Sequence, residues 1–380
     1  MAVKSRSAVL SNMGQSRPFA ETAPLQILDV DIDSPGPGEV LVQIEAAGVC
    51  HSDLSVLTGQ RPRPMPMAIG HEAAGRVVEV GPDVPGIGPD DHVVLAFMPH
   101  CGACANCVAG RTTLCIPGGQ SNREGALLGG HHRLNVGGRR VNHHLGVSAF
   151  SEYAVVHHSS AVVIDDDIPF EIAAVFGCAM LTGAGAVLNT AGVQQGESVC
   201  VIGLGGVGLA AVLGAVIAGA NPIVAIDPVE SKRQLALELG ATHACHPGDA
   251  ARLIGSLTRD GTRWAIEAAG VVPAMEQAFS LIGRGGAVVS VGLPAPDAQL
   301  TLPAVAFVAD AKSFIGSYMG SCQPQRDIPR MIAWWRQGLL PVEKLVDGTY
   351  PLSSVNWAMD RLAEGAAVRQ ILLPQMQETE

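Results

Sequence analysis

The chain has 380 residues, of which 48% are hydrophobic and only 4% aromatic, and it contains 45 glycines. This length predicts two domains, or one domain with a large insertion, in a globular α/β protein. The 24 lysines and arginines stand against 35 aspartates and glutamates, and the net charge of −11 argues against nucleic-acid binding. The first residues contain no apolar segment typical of a secretory signal, so we expect a cytoplasmic location.

Short β runs dominate the first part of the chain, to about residue 155. Three of them, bounded by Gly, Pro and Asp, cover residues 40–49, 73–81 and 91–96. They predict a compact, mostly antiparallel β domain. Residues 116–146 are polar and rich in glycine and histidine, and they predict a long surface loop.

Strands alternate with helices from about Pro169 onward. The strand runs are VCVIG, PIVAID, THAC, WAIEAAG and AVVSVG, and stretches such as ESKRQLALELG are helical. This alternation predicts a doubly wound parallel sheet. Residues 198–226 carry no charge and could span a bilayer by length, but six glycines and Pro222 favour a buried strand–helix–strand unit, so no membrane association is expected.

The alternation ends near Cys322. The runs RDIPRMIAWWRQG and SVNWAMDRLAEG predict two further helices, and QILLP predicts a strand after the second of them.

Four cysteines lie within the fifteen residues CGACANCVAGRTTLC. They are Cys101, Cys104, Cys107 and Cys115. Thiolates at this spacing can converge on one tetrahedral zinc ion, and four protein ligands leave no open position, which predicts a structural site. An iron–sulfur cluster is the alternative, although no Cys-Pro ending follows. Nine cysteines in the whole chain are too sparse for a disulfide scaffold.

A second group of possible ligands brackets this quartet. Cys50 begins the run CHSD, His71 lies in GHE, and Cys178 lies in FGCAMLTG. A single cysteine or histidine more often packs in a core than binds a metal. Two cysteines and one histidine, however, could hold a zinc ion and leave one position open, as catalytic zinc sites do.

The run GLGGVG follows the strand SVCVI and begins an apolar helix. Gly203 permits the tight turn, Gly205 lets the backbone approach a pyrophosphate, and Gly208 allows close helix–strand packing. The helix N-terminus supplies N–H groups and a positive dipole end to the anion. The residues between these glycines, which complete the motif, are Leu204, Gly206 and Val207.

The next strand ends in Asp227, 24 positions after Gly203. A carboxylate there can bind both adenosine ribose hydroxyls and would repel a 2′-phosphate, which predicts NAD as the cofactor. Lys232 is the nearest cation that the sequence offers to the ribose.

Together these motifs resemble those of the zinc-dependent medium-chain alcohol dehydrogenases, in the dimeric, two-zinc branch, over essentially the whole chain. The resemblance implies a GroES-like β-rich catalytic domain and a doubly wound Rossmann domain. The implied boundaries are 1–180 for the first catalytic part, with a structural-zinc lobe at about 99–117, then 181–318 for the Rossmann domain and 319–380 for the second catalytic part. It also implies NAD, two Zn²⁺ per chain and a homodimer that interconverts small alcohols with aldehydes or ketones.

The resemblance further assigns residues to the reaction. Cys50, His71 and Cys178 would hold the catalytic zinc, with Glu72 as a nearby carboxylate and Asp53 orienting His71. Ser52 would take the alcohol proton. At the relay position Ser55 replaces the family's usual histidine. At the phosphate positions His51 replaces an arginine, and Arg369 would contact a coenzyme phosphate.

The remaining implied positions belong to the nicotinamide and the substrate. Thr182 and Val207 would hold one side of the nicotinamide ring. The other side would be lined by Val291, Leu293 and Met319. The implied substrate pocket comprises Phe97, His144, Leu145, Leu293 and Tyr318, with Arg61 at its mouth.

Two alternatives stay open at this stage. The thiol-adduct formaldehyde dehydrogenases belong to the same family, but their acidic and arginine adduct-binding positions align here with Gly59, Arg61 and Gly119, which disfavours that activity. From another class, the chain could be a non-catalytic, zinc-stabilised nucleotide-binding redox sensor. The sequence identifies neither the alcohol substrate nor the physiological direction of the reaction.

Overall fold

The computed structural model describes residues 3–376 and divides the chain into two compact units. Unit 1 comprises Met1–Cys178, Gln323–Met331 and Val342–Glu380, and unit 2 comprises Ala179–Cys322 and Ile332–Pro341. Each unit contains its own β structure and its own buried core.

The strands, numbered in chain order, are β1 (Val3–Leu10), β2 (Leu25–Ile32), β3 (Glu39–Gly48), β4 (Met67–Ala68), β5 (Ala73–Val80), β6 (His92–Leu95), β7 (Leu134–Val136), β8 (Arg139–His143), β9 (Tyr153–His157), β10 (Ala161–Ile164), β11 (Val199–Ile202), β12 (Ile223–Ile226), β13 (His243–Cys245), β14 (Thr262–Glu267), β15 (Ile282–Ser290), β16 (Ser313–Gly316), β17 (Val346–Pro351) and β18 (Arg369–Leu373).

The α-helices are α1 (Phe19–Thr22), α2 (His51–Leu57), α3 (Ala105–Val108), α4 (Ile116–Glu124), α5 (Phe170–Val175), α6 (Leu181–Gly185), α7 (Gly206–Ile217), α8 (Glu230–Glu238), α9 (Ala250–Leu257), α10 (Val272–Leu281), α11 (Ala304–Ala309), α12 (Pro324–Arg336) and α13 (Val355–Ala363). Short 3-10 segments cover Thr112–Leu114, His158–Ser160, Pro247–Asp249, Met319–Ser321, Val342–Leu345 and Leu352–Ser354. Two π-helical segments cover Phe176–Met180 and Ala186–Ala191.

Unit 1 is built from antiparallel β structure, as the sequence predicts. A closed barrel has the strand order β1-β2-β7-β8-β4, and a seven-stranded sheet has the order β10-β6-β5-β3-β18-β17, with β9 also paired to β3. Among the described strands of this unit, only the pairs β4–β8 and β17–β18 run parallel. The barrel encloses a core rich in branched side chains, among them Val9, Val30, Ile32 and Val141.

Unit 2 contains a six-stranded parallel sheet in the order β13-β12-β11-β14-β15-β16. This order has a reversal next to β11, which is the arrangement of doubly wound dinucleotide-binding sheets. The residues of β11 and β12 are all buried, as expected for central parallel strands covered on both faces. The predicted combination of a β-rich unit and a doubly wound sheet is confirmed.

The uncharged segment 198–226 folds as β11, α7 and β12, so the strand–helix–strand prediction is confirmed. Another stretch of the described chain, the helical run Phe170–Ala191, is apolar and long enough to cross a membrane by length and composition alone. Within its most apolar 18-residue window, however, 83% is buried inside the fold, as in a core helix.

The prediction of a long surface loop over 116–146 is wrong. This segment forms α4 and the hairpin β7–β8, and its last residues, Val141 to Gly146, are buried. Gly137 and Gly138 both have positive φ, 55° and 76°, at the turn of the hairpin, which suits a tight two-residue connection. The glycine pair is therefore a hairpin turn within ordered structure. Strands β16 and β17 were not predicted.

Candidate metal centres and cofactor site

Three buried side chains of unit 1 bring their ligand atoms together. Cys50 is the N-cap of α2, His71 lies between β4 and β5, and Cys178 lies in the π-helical segment Phe176–Met180. The two sulfur atoms and the imidazole nitrogen all lie within 4.8 Å of one another. Zinc binds sulfur at about 2.3 Å and nitrogen at about 2.0 Å, so one ion fits among these three atoms.

Glycines make room for this cluster. Gly70, directly before His71, has φ of +95°, and a Cβ atom there would lie 2.5 Å from the backbone nitrogen of Phe150. A Cβ atom on Gly48 would lie 2.5 Å from a carboxylate oxygen of Glu72. Neither position accepts a larger residue without displacement of the residues around the cluster.

Asp53 orients the histidine of the cluster. Its Oδ1 lies 2.9 Å from His71 Nδ1, and its Oδ2 accepts the backbone N–H of Cys50 at 3.3 Å. A contact at Nδ1 directs the other ring nitrogen to the metal position and fixes the tautomer. Burial raises the pKa of Asp53, but the charge of His71 and a contact with His144 lower it by more, so the net shift is downward.

The pKa values of the two thiols in the cluster are shifted in opposite directions. The hydrogen bond from Cys178 lowers the pKa of Cys50 well below its usual value, whereas the same bond and burial raise the pKa of Cys178. The positive charges of His71 and Arg369 further lower the pKa of Cys50. Cys50 is therefore the thiolate of the pair before a metal binds. Metal binding would then release the proton of the Cys178 thiol.

Glu72 and Arg369 form a fully buried ion pair beside the cluster. Arg369 Nη1 lies 3.1 Å from Glu72 Oε2 and donates to the carbonyl of Val49 at 3.1 Å. Burial raises the pKa of Glu72 to about 7 despite the guanidinium. Apart from this ion pair, neither carboxylate oxygen makes a regular hydrogen bond to a described residue, and a buried acceptor of this kind fits a site that also receives a cation.

Other predicted residues of unit 1 surround these groups. The ring of Phe97 meets His71 edge to face at 5.3 Å, and the ring of His144 does so at 5.6 Å. Leu145 is buried in the same turn as His144. Of the remaining predicted residues, Ser52 and Arg61 are half-buried and His51 is exposed.

The cysteine quartet forms a second cluster. Its four sulfur atoms lie within 4.8 Å of one another. Backbone N–H groups point at them, from Cys101 and Gly118 to the Cys115 sulfur and from Cys104 to the Cys101 sulfur. Such bonds from Cys107 and Ile116 lower the pKa of Cys104 to about 6. The arrangement fits an ion with four thiolate ligands and no open position.

The glycine motif of unit 2 folds as expected. Gly203 has φ of +87°, where an added Cβ atom would lie 2.7 Å from Ala269 N. A Cβ atom at Gly205 would meet nothing within 4 Å, which leaves open space at the N-cap of α7. One at Gly208 would collide with the carbonyl of Gly203. The open N-terminus of α7 can therefore receive an anion.

Asp227 lies at the carboxyl end of β12 and is buried. Its Oδ2 accepts the N–H of Leu204 at 2.7 Å, and its Oδ1 accepts that of Val229 at 2.8 Å. Arg233 Nη1 donates to the Asp227 carbonyl at 2.7 Å. The sequence reasoning named Lys232 as the nearest cation and missed Arg233; its position on the first turns of α8 was the available signal.

The comparisons with known proteins agree with this geometry. Residues 36–166 match the family model "Alcohol dehydrogenase GroES-like domain", and residues 206–337 match "Zinc-binding dehydrogenase". The NDMA-dependent alcohol dehydrogenase of Amycolatopsis methanolica is 37% identical over 98% of this chain and 99% of its own length. The S-(hydroxymethyl)glutathione dehydrogenase of Haemophilus influenzae is 35% identical over 97% of each chain.

The chain belongs to the zinc-dependent medium-chain alcohol dehydrogenase family.

Among solved structures, the benzyl alcohol dehydrogenase of Acinetobacter calcoaceticus superimposes with a TM-score of 0.91 at 31% identity, covering 98% of this chain and 99% of the other. This member of the alcohol dehydrogenase family is therefore an oxidoreductase with a GroES-like domain and a dinucleotide-binding domain, and its cofactors are zinc and a nicotinamide dinucleotide. The family acts on small-molecule alcohols.

The other residues that the resemblance implies for the nicotinamide and the substrate include six in unit 2. Thr182 lies on α6 and Val207 on α7, and a Cβ atom on Gly183 would collide with the Val207 carbonyl, so these helices approach closely. Val291 and Leu293 follow the carboxyl end of β15, and Tyr318 and Met319 follow that of β16. Ligands of doubly wound sheets bind outside these strand ends.

Proposed function

We propose that this chain is an NAD-dependent alcohol dehydrogenase in which Cys50, His71 and Cys178 hold the catalytic zinc. The observation that carries the proposal is the convergence of three buried ligand atoms within 4.8 Å, with Asp53 on the far nitrogen of the histidine. Three protein ligands leave a position for an alcohol oxygen. Bound zinc supplies Lewis acidity, which lowers the pKa of the alcohol hydroxyl.

Other residues exclude water, accept the proton and balance charge during the reaction. Phe97 packs its ring against His71 and helps to exclude water from the ligand cluster. Ser52, half-buried in the first turn of α2, accepts the alcohol proton. With Ser55 at the usual relay position, the proton leaves through water or through the exposed His51. The buried Arg369 compensates the charges of Glu72 and Cys50.

NAD preference rests on Asp227. Its carboxylate is held by two backbone N–H groups at the end of β12, where it can accept ribose hydroxyls and repel a 2′-phosphate. The predicted nicotinamide contacts of Thr182, Val207, Val291, Leu293 and Met319 belong to the same proposal. It also includes the predicted phosphate contacts of His51 and Arg369 and the ribose contact of Lys232.

We expect Asp227→Gly to lower kcat/KM with NAD by about ten- to a hundredfold, because hydrogen bonds to a charged group are lost. Its NAD-over-NADP preference should narrow. The variant Asp227→Asn removes the charge but can still accept the backbone N–H of Leu204. It therefore separates the effect of the charge from the effect of this hydrogen bond. Asp297→Gly, at an exposed loop position of unit 2, is the control. Equal use of NAD and NADP by the wild type would contradict the role of Asp227.

NADH formation with a panel of alcohols tests the proposed reaction. The panel contains primary aliphatic, allylic, benzylic and terpenoid alcohols, together with S-(hydroxymethyl)glutathione. We expect turnover with alcohols and none with the glutathione adduct, since Gly59, Arg61 and Gly119 supply no acidic side chain for it. A zinc-loaded protein that binds NADH yet oxidises no alcohol would favour the nucleotide-binding sensor.

The proposal includes a homodimer formed through unit 2. The terminal strand β16 follows α11, on which Val305 and Val308 are 71% and 86% exposed. An exposed strand edge beside apolar side chains is a surface that a second copy can cover. Light scattering should give twice the chain mass of 39.2 kDa, and Val308→Lys should shift it toward the monomer. A monomeric wild type would contradict this part.

A cytoplasmic location belongs to the same proposal. All nine cysteines are free thiols, and six of them belong to the two ligand clusters. Thiolate ligands have to stay reduced to bind zinc, which suits a reducing compartment. Cell fractionation tests this location.

A further inference from the structure

We infer that His144 is a positioning residue for the catalytic metal ligand His71, acting through the shared carboxylate of Asp53. This inference rests on the proposed function, because it assumes that His71 binds the metal. The resemblance assigned His144 to the wall of the substrate pocket, whereas the structure places its ring nitrogen on the buried carboxylate behind the ligand.

The contacts of Asp53 carry the inference. Its Oδ1 lies 2.9 Å from His71 Nδ1 and 3.2 Å from His144 Nδ1, and all three side chains are buried. This contact is not a regular hydrogen bond, and His144 Nδ1 makes no such bond to any described residue. A buried ring nitrogen requires a partner, and the Asp53 carboxylate is the acceptor against which this one lies.

The backbone holds His144 in this place. Its N–H donates to Ser148 Oγ at 2.9 Å, and that hydroxyl donates to the carbonyl of Ala68 at 2.8 Å. Leu145 and Ser148 have φ of 52° and 56°, in the left-handed region that such residues rarely adopt. Backbone strain of this kind persists only where the surrounding structure fixes it, so the turn is specified.

The short strand β4 lies next to both His144 and His71. His143, the residue before His144, pairs with Ala68 in β4, and β4 leads directly through Gly70 to His71. The turn that carries His144 is therefore tied to the segment that carries the metal ligand. A displacement of one would reach the other through Ala68 as well as through Asp53.

The consequence concerns the orientation of the carboxylate. Asp53 has contacts with three nitrogen atoms, from Cys50, His71 and His144. With a neutral Nδ1–H group of His144 at 3.2 Å, the carboxylate is contacted from two sides, and its rotation away from His71 is restricted. Groups that orient a ligating histidine typically change metal affinity by about ten- to a hundredfold when they are removed.

Three variants test the role. His144→Phe keeps a flat ring and removes the donor, while His144→Asn keeps an N–H close to the place of Nδ1. His143→Phe is the matched control, since His143 is equally buried in the same segment but its Nε2 accepts from the backbone N–H of Arg133 at 3.1 Å. If His144→Phe folds poorly, His144→Ala replaces it.

The measurement is the release of Co²⁺ from the Cys50, His71 and Cys178 site to a chelator, followed by the visible absorption of the cobalt site. Metal in the cysteine quartet of the same molecule serves as an internal reference. We expect His144→Phe to release Co²⁺ about tenfold faster or more, His144→Asn to recover most of the difference, and His143→Phe to match the wild type.

Three results would overturn the inference. One is release from His144→Phe at the wild-type rate, another is equal impairment of His144→Phe and His144→Asn, and the third is the same loss in His143→Phe. A wild-type protein that takes up no metal at the three ligands would overturn the proposed function as well. Normal wild-type uptake with an unaffected His144→Phe overturns only the role of His144.

Discussion

Replacing Cys178 by serine should abolish alcohol oxidation while NAD binding remains. A serine hydroxyl is a far poorer zinc ligand than a thiolate, so the ion is lost or misplaced. Because Lewis-acid stabilisation contributes several kcal/mol to the transition state, kcat should fall by at least about a thousandfold. NADH formation with the best alcohol of the panel measures kcat, and NADH fluorescence measures cofactor binding.

Cys200→Ser provides the control for this variant. Cys200 is also a buried thiol, but it lies in β11 and contacts Thr262 at 3.4 Å, outside both ligand clusters. Its kcat per folded molecule should stay close to that of the wild type. Near-normal kcat in Cys178→Ser would remove Cys178 from the catalytic ligands, and a similar loss in both variants would point to general destabilisation.

The doubly wound unit could be read from the sequence because its signals are local. The strands β11 and β12 are short runs of β-branched and apolar residues, and GLGGVG stands at the turn before α7. Each glycine in that motif meets a steric requirement that depends on a few neighbours, such as Ala269 beside Gly203. Edge strands such as β16 carry weaker patterns, because they are half exposed.

The segment 116–146 was misread because polarity was taken as a sign of exposure. Its buried polar residues, among them Asn142, His143 and His144, have partners that only the tertiary fold supplies. Asn142 donates to the carbonyl of Pro66, and His143 accepts from Arg133. Pro66 is 76 positions from Asn142 in the sequence, and Arg133 lies just before β7 while His143 ends β8. Composition alone could not reveal these contacts.

The contacts around Cys50, His71 and Cys178 also could not be predicted from the sequence alone. The residue types at positions 50, 71 and 178 suggested a zinc site, but the contacts that orient them depend on side chains brought together by folding. The pairing of Glu72 with Arg369 joins residues 297 positions apart, and the contact of His144 with Asp53 joins residues 91 positions apart. Sequence motifs identified the ligands, whereas the network behind them required the structure.

The cysteine quartet should prove necessary for the stability of unit 1. Its sulfur atoms accept backbone N–H groups from the loop that they organise, and few apolar side chains in that loop are buried. Val108, Leu114 and Ile116 are all exposed. The lobe therefore has little core of its own, and metal binding has to supply the free energy that orders it.

Cys104→Ala removes one of the four ligands and should lower both metal content and melting temperature. Structural zinc sites contribute about 10 kcal/mol or more of metal-binding free energy that is coupled to folding, so losing a ligand should cost several kcal/mol. A loss of this size lowers the Tm of unit 1 by roughly 10 °C, given that about 1 kcal/mol shifts Tm by about 2–4 °C in a domain of roughly 150–250 residues. Thermal unfolding and elemental analysis measure the two quantities.

The control is Cys245→Ala, which removes an equally half-buried thiol from β13 of unit 2. Its Tm and metal content should stay near those of the wild type, for which we expect close to two zinc ions per chain. The activity of Cys104→Ala, expressed per folded molecule, should change little, because the quartet has no open position for substrate. One zinc per wild-type chain, or an unchanged Tm in Cys104→Ala, would contradict a structural metal at the quartet; a loss confined to kcat would instead place these cysteines in the reaction itself.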